Sequence, residues 1–296
     1  MTQDNLAWQS KLVLLAVLPF AATDVLLACF DWAANSAAVV IWTIGLSALL
    51  GLITWRLRAA TPAAAATGAL ITASLMFSSV ELSYVPWHTA LVPVLAVSLL
   101  AFSATRVGRR KKERLGTAEA RPGRSAAQVA ANLGLAALVA SEPVKIWLFD
   151  SRWLALQARS RTLIPAMVLA ALAEAAADMV SSEIGQVLGG RPRMITTLRA
   201  VEPGTDGAVS AAGTLAGLLA AAIVAGTGTW AMRGDSSLFT LSCAGAVFGL
   251  VFDSLLGATL ERKGWLNNDA VNFLSTASAV TVALLLVAFA HHPGIG

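Results

Sequence analysis

Glu174, Asp178 and Ser182 follow one another at intervals of four within an apolar run, and Glu183 comes directly after them. On an α-helix that interval puts them on one face, and charged groups inside an apolar run need a partner or a purpose. Two or three carboxylates near a helix end can hold Mg²⁺, which takes a few carboxylates together with phosphate oxygens. They can equally pair with Arg191, Arg193 or Arg199 just downstream. The segment after them reads Gly189-Gly190-Arg191-Pro192-Arg193 and ends Val201-Glu202-Pro203-Gly204-Thr205-Asp206-Gly207. Glycines let a backbone approach phosphate closely, Thr205 or Asp206 can cap the next helix, and a helix start is an anion site. The same residues also make an ordinary turn and N-cap. Arg124, Gln128 and Asn132 form a second polar stripe, and Asp253, Gly257 and Glu261 a third. Asn267, Asn268, Asp269 and Asn272 add a further polar group, while Gly213/Gly217 and Gly245/Gly249 have the spacing of close helix packing.

The elements that must carry these residues are membrane helices. Of 296 residues, 57% are hydrophobic and 13% charged, against about 25% charged in soluble domains. The fold class is therefore all-α, a polytopic integral membrane bundle. About nine spans can be drawn near the ~20 residues needed to cross the hydrocarbon core: 11–30, 37–55, 62–80, 88–107, 125–142, 162–184, 207–227, 236–258 and 269–290. Residues 1–107 form an N-terminal group of helices, 108–124 a basic loop, and 125–296 the part rich in intramembrane polar groups. In the first part Asp24 is the main buried charge. Met1–Ser10 lacks a basic region or cleavage site and is expected to lead into a retained first helix.

Nine spans put sixteen Lys and Arg on one side, from Lys11 through the Gly108–Arg124 loop to Lys263, and five on the other: Lys145, Arg152, Arg159, Arg161 and Arg233. That bias makes the first side, with the N-terminus, cytoplasmic. It also accounts for the net charge of +4, and without aromatic-basic interleaving nucleic acid is excluded as a partner. The loop itself reads as a solvated segment facing anionic head groups. Glu142–Arg161 has the composition of an amphipathic helix on the opposite interface, and most tryptophans of the first half stand near span ends as anchors. Cys29 and Cys243 sit in apolar runs as small hydrophobes. All the polar clusters open toward the cytoplasmic side, where nucleotides are available and a bilayer can deliver a lipidic substrate laterally.

Several segments resemble a known family. Gly123-Arg124-Ser125-Ala126-Ala127-Gln128-Val129-Ala130-Ala131-Asn132 is similar to its GRxAxQVxAN motif, and Ala177-Asp178-Met179-Val180-Ser181-Ser182-Glu183-Ile184-Gly185 to its ADTxxSEIG motif. Pro192-Arg193-Met194-Ile195-Thr196-Thr197, Val201–Ser210, Phe252–Thr259 and Asn268–Phe273 follow in the family's order. The resemblance, over roughly residues 56–290, is to domain-of-unknown-function family 92, which includes transmembrane protein 19 and the plant phytyl-phosphate kinases. It also extends distantly to dolichol kinases and CDP-diacylglycerol synthases.

The resemblance implies a kinase that moves the γ-phosphoryl group of CTP or another NTP to a phytyl or related prenyl monophosphate, at the cytoplasmic face of the cell (inner) membrane. Asp178, Glu183 and Asp253 are then expected around Mg²⁺ as catalytic and metal-holding residues. The Gly204, Thr205, Asp206 and Gly207 loop would cradle phosphates. Arg124, Gln128, Asn132 and Arg193 would hold the acceptor phosphate or the nucleotide, and Asp269 and Asn272 would complete the floor. Met179 stands where the family usually has Thr or Ser, and Ala208 where it commonly has Gly. A cytidylyltransferase, a transporter of a lipid or anionic solute, and a quiet membrane scaffold are the competing readings. Chain length, nucleotide and homo-oligomer formation are not specified by the sequence.

Overall fold

The structure is a computed structural model that describes residues 6–81, 83–118, 123–150 and 162–290. Eleven α-helices occur among the described residues. They are α1 (Ala7–Asn35), α2 (Ala37–Arg56), α3 (Pro62–Ser78), α4 (Leu91–Arg106), α5 (Arg109–Leu115), α6 (Ala126–Ala140), α7 (Glu142–Asp150), α8 (Leu163–Leu188), α9 (Ala211–Ala231), α10 (Ser236–Leu256) and α11 (Asn268–Ala290). A helix lies at each of the nine expected span positions. Six helices, α1, α2, α8, α9, α11 and α10 with its extension to Glu261, are long and apolar enough to cross a membrane. Counting the bent pairs α4–α5 (66°) and α6–α7 (55°) raises this to eight, against the nine expected, and the 17-residue α3 is a shorter apolar helix.

Local signals explain where helices start. Thr61 accepts from the Ala64 amide ahead of Pro62, and Ser125 and Gln128 form a reciprocal capping box at α6. Asp235 accepts from the amides of Ser237 and Leu238 at α10. Ser210, rather than Thr205 or Asp206, caps α9 by accepting from Gly213. The helix starts later than expected because Ala208–Val209 pair antiparallel with Arg193–Met194, holding the chain extended up to the cap. This two-stranded ribbon is the one β-sheet among the described residues.

Helix α8 is the axis of the bundle and packs against α4, α6, α9, α10 and α11. Its alanines permit that crowding, because small residues let helix backbones approach. The same reason explains the paired glycines. A Cβ on Gly213 would come within 2.7 Å of the Ser181 carbonyl oxygen, and one on Gly217 within 2.8 Å of that of Ala177. Asp24 of α1 is buried, accepting from Ser74 of α3 at 2.7 Å and from the Glu142 amide at 3.1 Å. It therefore ties the N-terminal helices to the α6–α7 corner. Helix α7 covers the first part of the expected amphipathic segment and exposes Ile146 and Trp147; residues 151–161, with Arg152, Arg159 and Arg161, lie outside the described residues, as does Arg121.

Candidate functional site

The C-terminal part of α8 carries Asp178 and Ser182 on one face, as their spacing requires. Ser182 lies 3.5 Å from Asp178 Oδ1. Across from them, α10 presents Asp253, whose carboxyl stands beside that of Asp178 and interacts with it electrostatically. One turn deeper, Glu174 is buried and accepts from Thr276 of α11 at 2.7 Å. After Leu256 the chain makes a π-turn over Gly257–Glu261, a widening common at functional sites. It keeps Asp253, Gly257 and Glu261 on one wall although the α-helical period is broken.

Two chambers open at this end of the bundle, where Arg58, Arg106, Arg109 and Arg124 also gather. The larger, about 390 Å³, lies between α8, α10 and the loop from Gly204 to Val209. The second, about 280 Å³, is lined by Arg124, Gln128 and Asn132 of the α6 segment, together with Met179 and Glu183. Asp178, Ser182, Gln186, Asn268 and Asn272 line both. The third polar stripe and the α6 stripe therefore meet on either side of Asp178. The charge of Arg124 acts on Asp178, and its guanidinium also contacts the Met179 sulfur. Met179 thus braces Arg124.

The loop earns its glycines by geometry. Gly204 and Gly207 have φ of +87° and +73°, and a Cβ on Gly207 would come within 2.2 Å of the Ala258 amide nitrogen. Ile195 donates to the Gly207 carbonyl at 3.1 Å and Ala208 to that of Thr205 at 3.0 Å, so the loop is fixed to both the ribbon and the π-turn. The Thr205 hydroxyl donates to the Glu202 carbonyl at 2.7 Å. Asp206 is open to solvent, yet the protein packed around its carboxyl raises its pKa, and Arg262 opposes the shift.

Three expected residues take other roles. Glu183 does not join Asp178 and Asp253: one oxygen pairs with Lys112 at 2.5 Å and the other accepts from Thr105 at 3.0 Å. Lys112 is only 1% exposed, so this is a buried tie between the basic loop and α8. Lys112→Met should lower Tm in detergent by an amount equivalent to about 3 kcal/mol, and adding Glu183→Gln should restore part of it; equal Tm values would contradict the tie. Arg193 donates to the Leu198 carbonyl at 2.8 Å and lines neither chamber. It organises the ribbon. Asp269 accepts from Ser10 of α1 at 2.6 Å, while its neighbour Asn268 and Asn272 supply the floor.

No group of three or more His, Cys, Asp or Glu arranged to hold a metal by protein ligands alone occurs among the described residues. The donors fit a divalent cation that keeps phosphate and water ligands. Asp178 and Asp253 are two carboxyl groups side by side, and Asp253 Oδ1 is buried without a hydrogen-bond partner. Thr117 Oγ1 and Gln186 Oε1, both on chamber walls, are buried and unpartnered too. From sequence, Ser182, Asn268 and Glu261 stand in polar stripes without an assigned role, and Gln186 and Arg262 are not singled out as site residues. The positions 182 and 186 continue the Asp178 helical face and were legible by that spacing.

Residues 45–280 match the family described as integral membrane protein DUF92. The chain belongs to this family. An uncharacterized membrane protein of Methanocaldococcus jannaschii, MJ0933, is 41% identical over 40% of this chain and 49% of its own length. The uncharacterized membrane protein sll0875 of Synechocystis is 34% identical over 67% of this chain and 73% of its own. Protein VTE6, chloroplastic, of Arabidopsis thaliana is 30% identical over 66% and 58%. The chain thus spans about half the length of the archaeal relative and somewhat more than half of VTE6. No solved structure matches this DUF92 protein.

Proposed function

We propose that this DUF92 protein is a prenyl-phosphate kinase that uses CTP or another NTP at the cytoplasmic face of the membrane. The observation that carries the reading is that Asp178 lines two adjoining chambers, one walled by the glycine loop and one by Arg124, Gln128 and Asn132. The resemblance of these motifs to the phytyl-phosphate kinases supports the same chemistry. In this reading the nucleotide occupies the larger chamber with its phosphates on the Gly204–Gly207 loop. The acceptor monophosphate occupies the second, beside Arg124. The two phosphates then meet at Asp178.

Phosphoryl transfer is mostly positioning and charge neutralisation. An anionic oxygen of the acceptor monophosphate attacks the γ-phosphorus, the bond from that phosphorus to the β-γ bridging oxygen breaks, and the nucleoside diphosphate leaves. No general base is needed, since the nucleophile is already ionised. Asp178 and Asp253 would hold Mg²⁺, which supplies charge neutralisation to the phosphate oxygens when bound. Arg124 orients the acceptor, and the Asn268 and Asn272 amides bound the space where the two substrates meet.

Gly207→Ala tests the loop. Its φ and the contact with the Ala258 backbone force the loop to move, so Tm should fall. The nucleotide KM should rise at least about tenfold, the scale of misplaced positioning groups, with KM for the lipid monophosphate changed far less. The reaction type is read from the co-product of purified protein with geranylgeranyl monophosphate, CTP and Mg²⁺. Nucleoside diphosphate with prenyl diphosphate supports the kinase. Pyrophosphate with a CMP-linked lipid would assign a cytidylyltransferase, and uptake of the lipid by proteoliposomes without nucleotide a transporter.

A further inference from the structure

A third cavity, about 140 Å³, adjoins the acceptor chamber and shares Arg124, Gln128, Asn132 and Met179 with it. It is a groove walled by α2, α3, α4 and α6. Arg58, Arg106, Arg109 and Arg124 belong to its lining, and each stands at or just outside the same end of those helices. On α4 its lining runs from Arg106 inward to Val94, twelve residues or about 18 Å of helix. Beyond the arginines the walls are Leu50, Ala65, Gly68, Val97, Ala101 and Leu133, among others. The threonines in the lining do not break this apolar character. Thr54 and Thr72 donate to the carbonyls of Gly51 and Gly68 on their own helices, and the Thr105 hydroxyl is shared between the Ala101 carbonyl and Glu183, so each hydroxyl has a partner within the protein.

We propose that this groove holds the hydrocarbon chain of the lipid monophosphate and that its inner end limits the chain length the protein accepts. The proposal rests on the kinase reading for the identity of the acceptor. Charge and continuity fix the occupant: a ligand there has a long apolar body, an anionic head at the arginine end, and that head directed into the chamber that reaches Asp178. The inner limit is set by the buried Thr72, Val94 and Val97. The bridge between Ala60 and Arg124 holds the mouth together, with Thr61 donating to the Arg124 carbonyl and Arg124 to that of Ala59, both at 3.0 Å.

Gly68 gives a clean probe, because a Cβ there meets only Val129, at 3.8 Å. Gly68→Phe starts from a Cβ in ordinary van der Waals contact and adds a ring at a residue of the groove lining, and Val97→Ala removes bulk near the inner end. Binding of geranyl, farnesyl and geranylgeranyl monophosphate to the full-length protein in detergent, without nucleotide, is measured alongside transfer from CTP. Gly68→Phe should weaken geranylgeranyl monophosphate at least about tenfold more than geranyl monophosphate, since the longer chain loses more buried methylenes. Val97→Ala should shift the preference toward longer chains. Length-dependent binding that changes with these variants supports the groove even if no phosphoryl transfer occurs. Transfer whose chain-length profile is the same in wild type and both folded variants overturns the groove and leaves the kinase reading standing. Binding that ignores chain length in all three proteins also overturns it.

Discussion

Asp253→Asn and Asp178→Asn are each expected to lower kcat at least about a thousandfold, the scale on which charge clamps act in phosphoryl transfer, while Tm stays at or above the wild-type value. Loss of activity alone would be weak evidence, because a buried polar change can simply unfold a protein. The two carboxyl groups stand beside each other, so in the absence of a cation one of them is a source of repulsion. Replacing either carboxylate by an isosteric amide removes that repulsion and supplies an N–H donor to the carboxylate that remains. Function and stability therefore move in opposite directions, as they do where a site is held under electrostatic strain. Kinetics together with thermal unfolding in detergent checks both halves. Full activity in both variants would place the reacting centre elsewhere, and a large fall in Tm would make these residues structural.

Arg124→Ala is the second large effect. Arg124 is the cation that joins the acceptor chamber, the apolar groove and Asp178. Its position is fixed on three sides: Gly123, with φ of +104°, lets the chain lie against Ala59, the backbone is bonded to that same segment, and the guanidinium rests on Met179. Its loss should reduce kcat/KM for the lipid monophosphate about 100- to 1,000-fold, mainly through KM for the lipid, with KM for the nucleotide changed far less. Arg124→Lys should recover only part, since a point charge does not reproduce a planar fork on phosphate. Equal changes in both KM values would contradict the separation of the two chambers.

The polar stripes were legible because helical spacing is a rigid rule. Asp178 and Ser182, Arg124 through Asn132, and Asp253 through Glu261 each share a face in the folded chain, and the glycine pairs pack helices as their spacing indicates. What sequence could not supply was which carboxylate faces which cation. Glu183 follows Ser182 by one residue, and on a helix that step rotates it toward α4 and the basic loop, where Lys112 is buried. Arg193 was legible as a loop cation, but the extended pairing that turns it toward Leu198 depends on contacts across the loop. Asp269 and Asn268 exchange roles for the same reason: a helix start offers both to different neighbours, and the fold of α1 onto α11 decides. The apolar groove is a property of four helices together and has no linear signature. Its arginines come from loops and helix ends far apart in the chain.

The central claim is that a nucleotide and a lipid monophosphate meet at Asp178. The most direct measurement incubates purified full-length protein with geranylgeranyl monophosphate, Mg²⁺ and CTP labelled in the γ-phosphate, with Asp178→Asn in parallel. The expected result is label in the terminal phosphate of a prenyl diphosphate, formed by wild type and absent from the variant. No labelled lipid across several nucleotides and prenyl chain lengths, or equal labelling by the variant, would contradict the account.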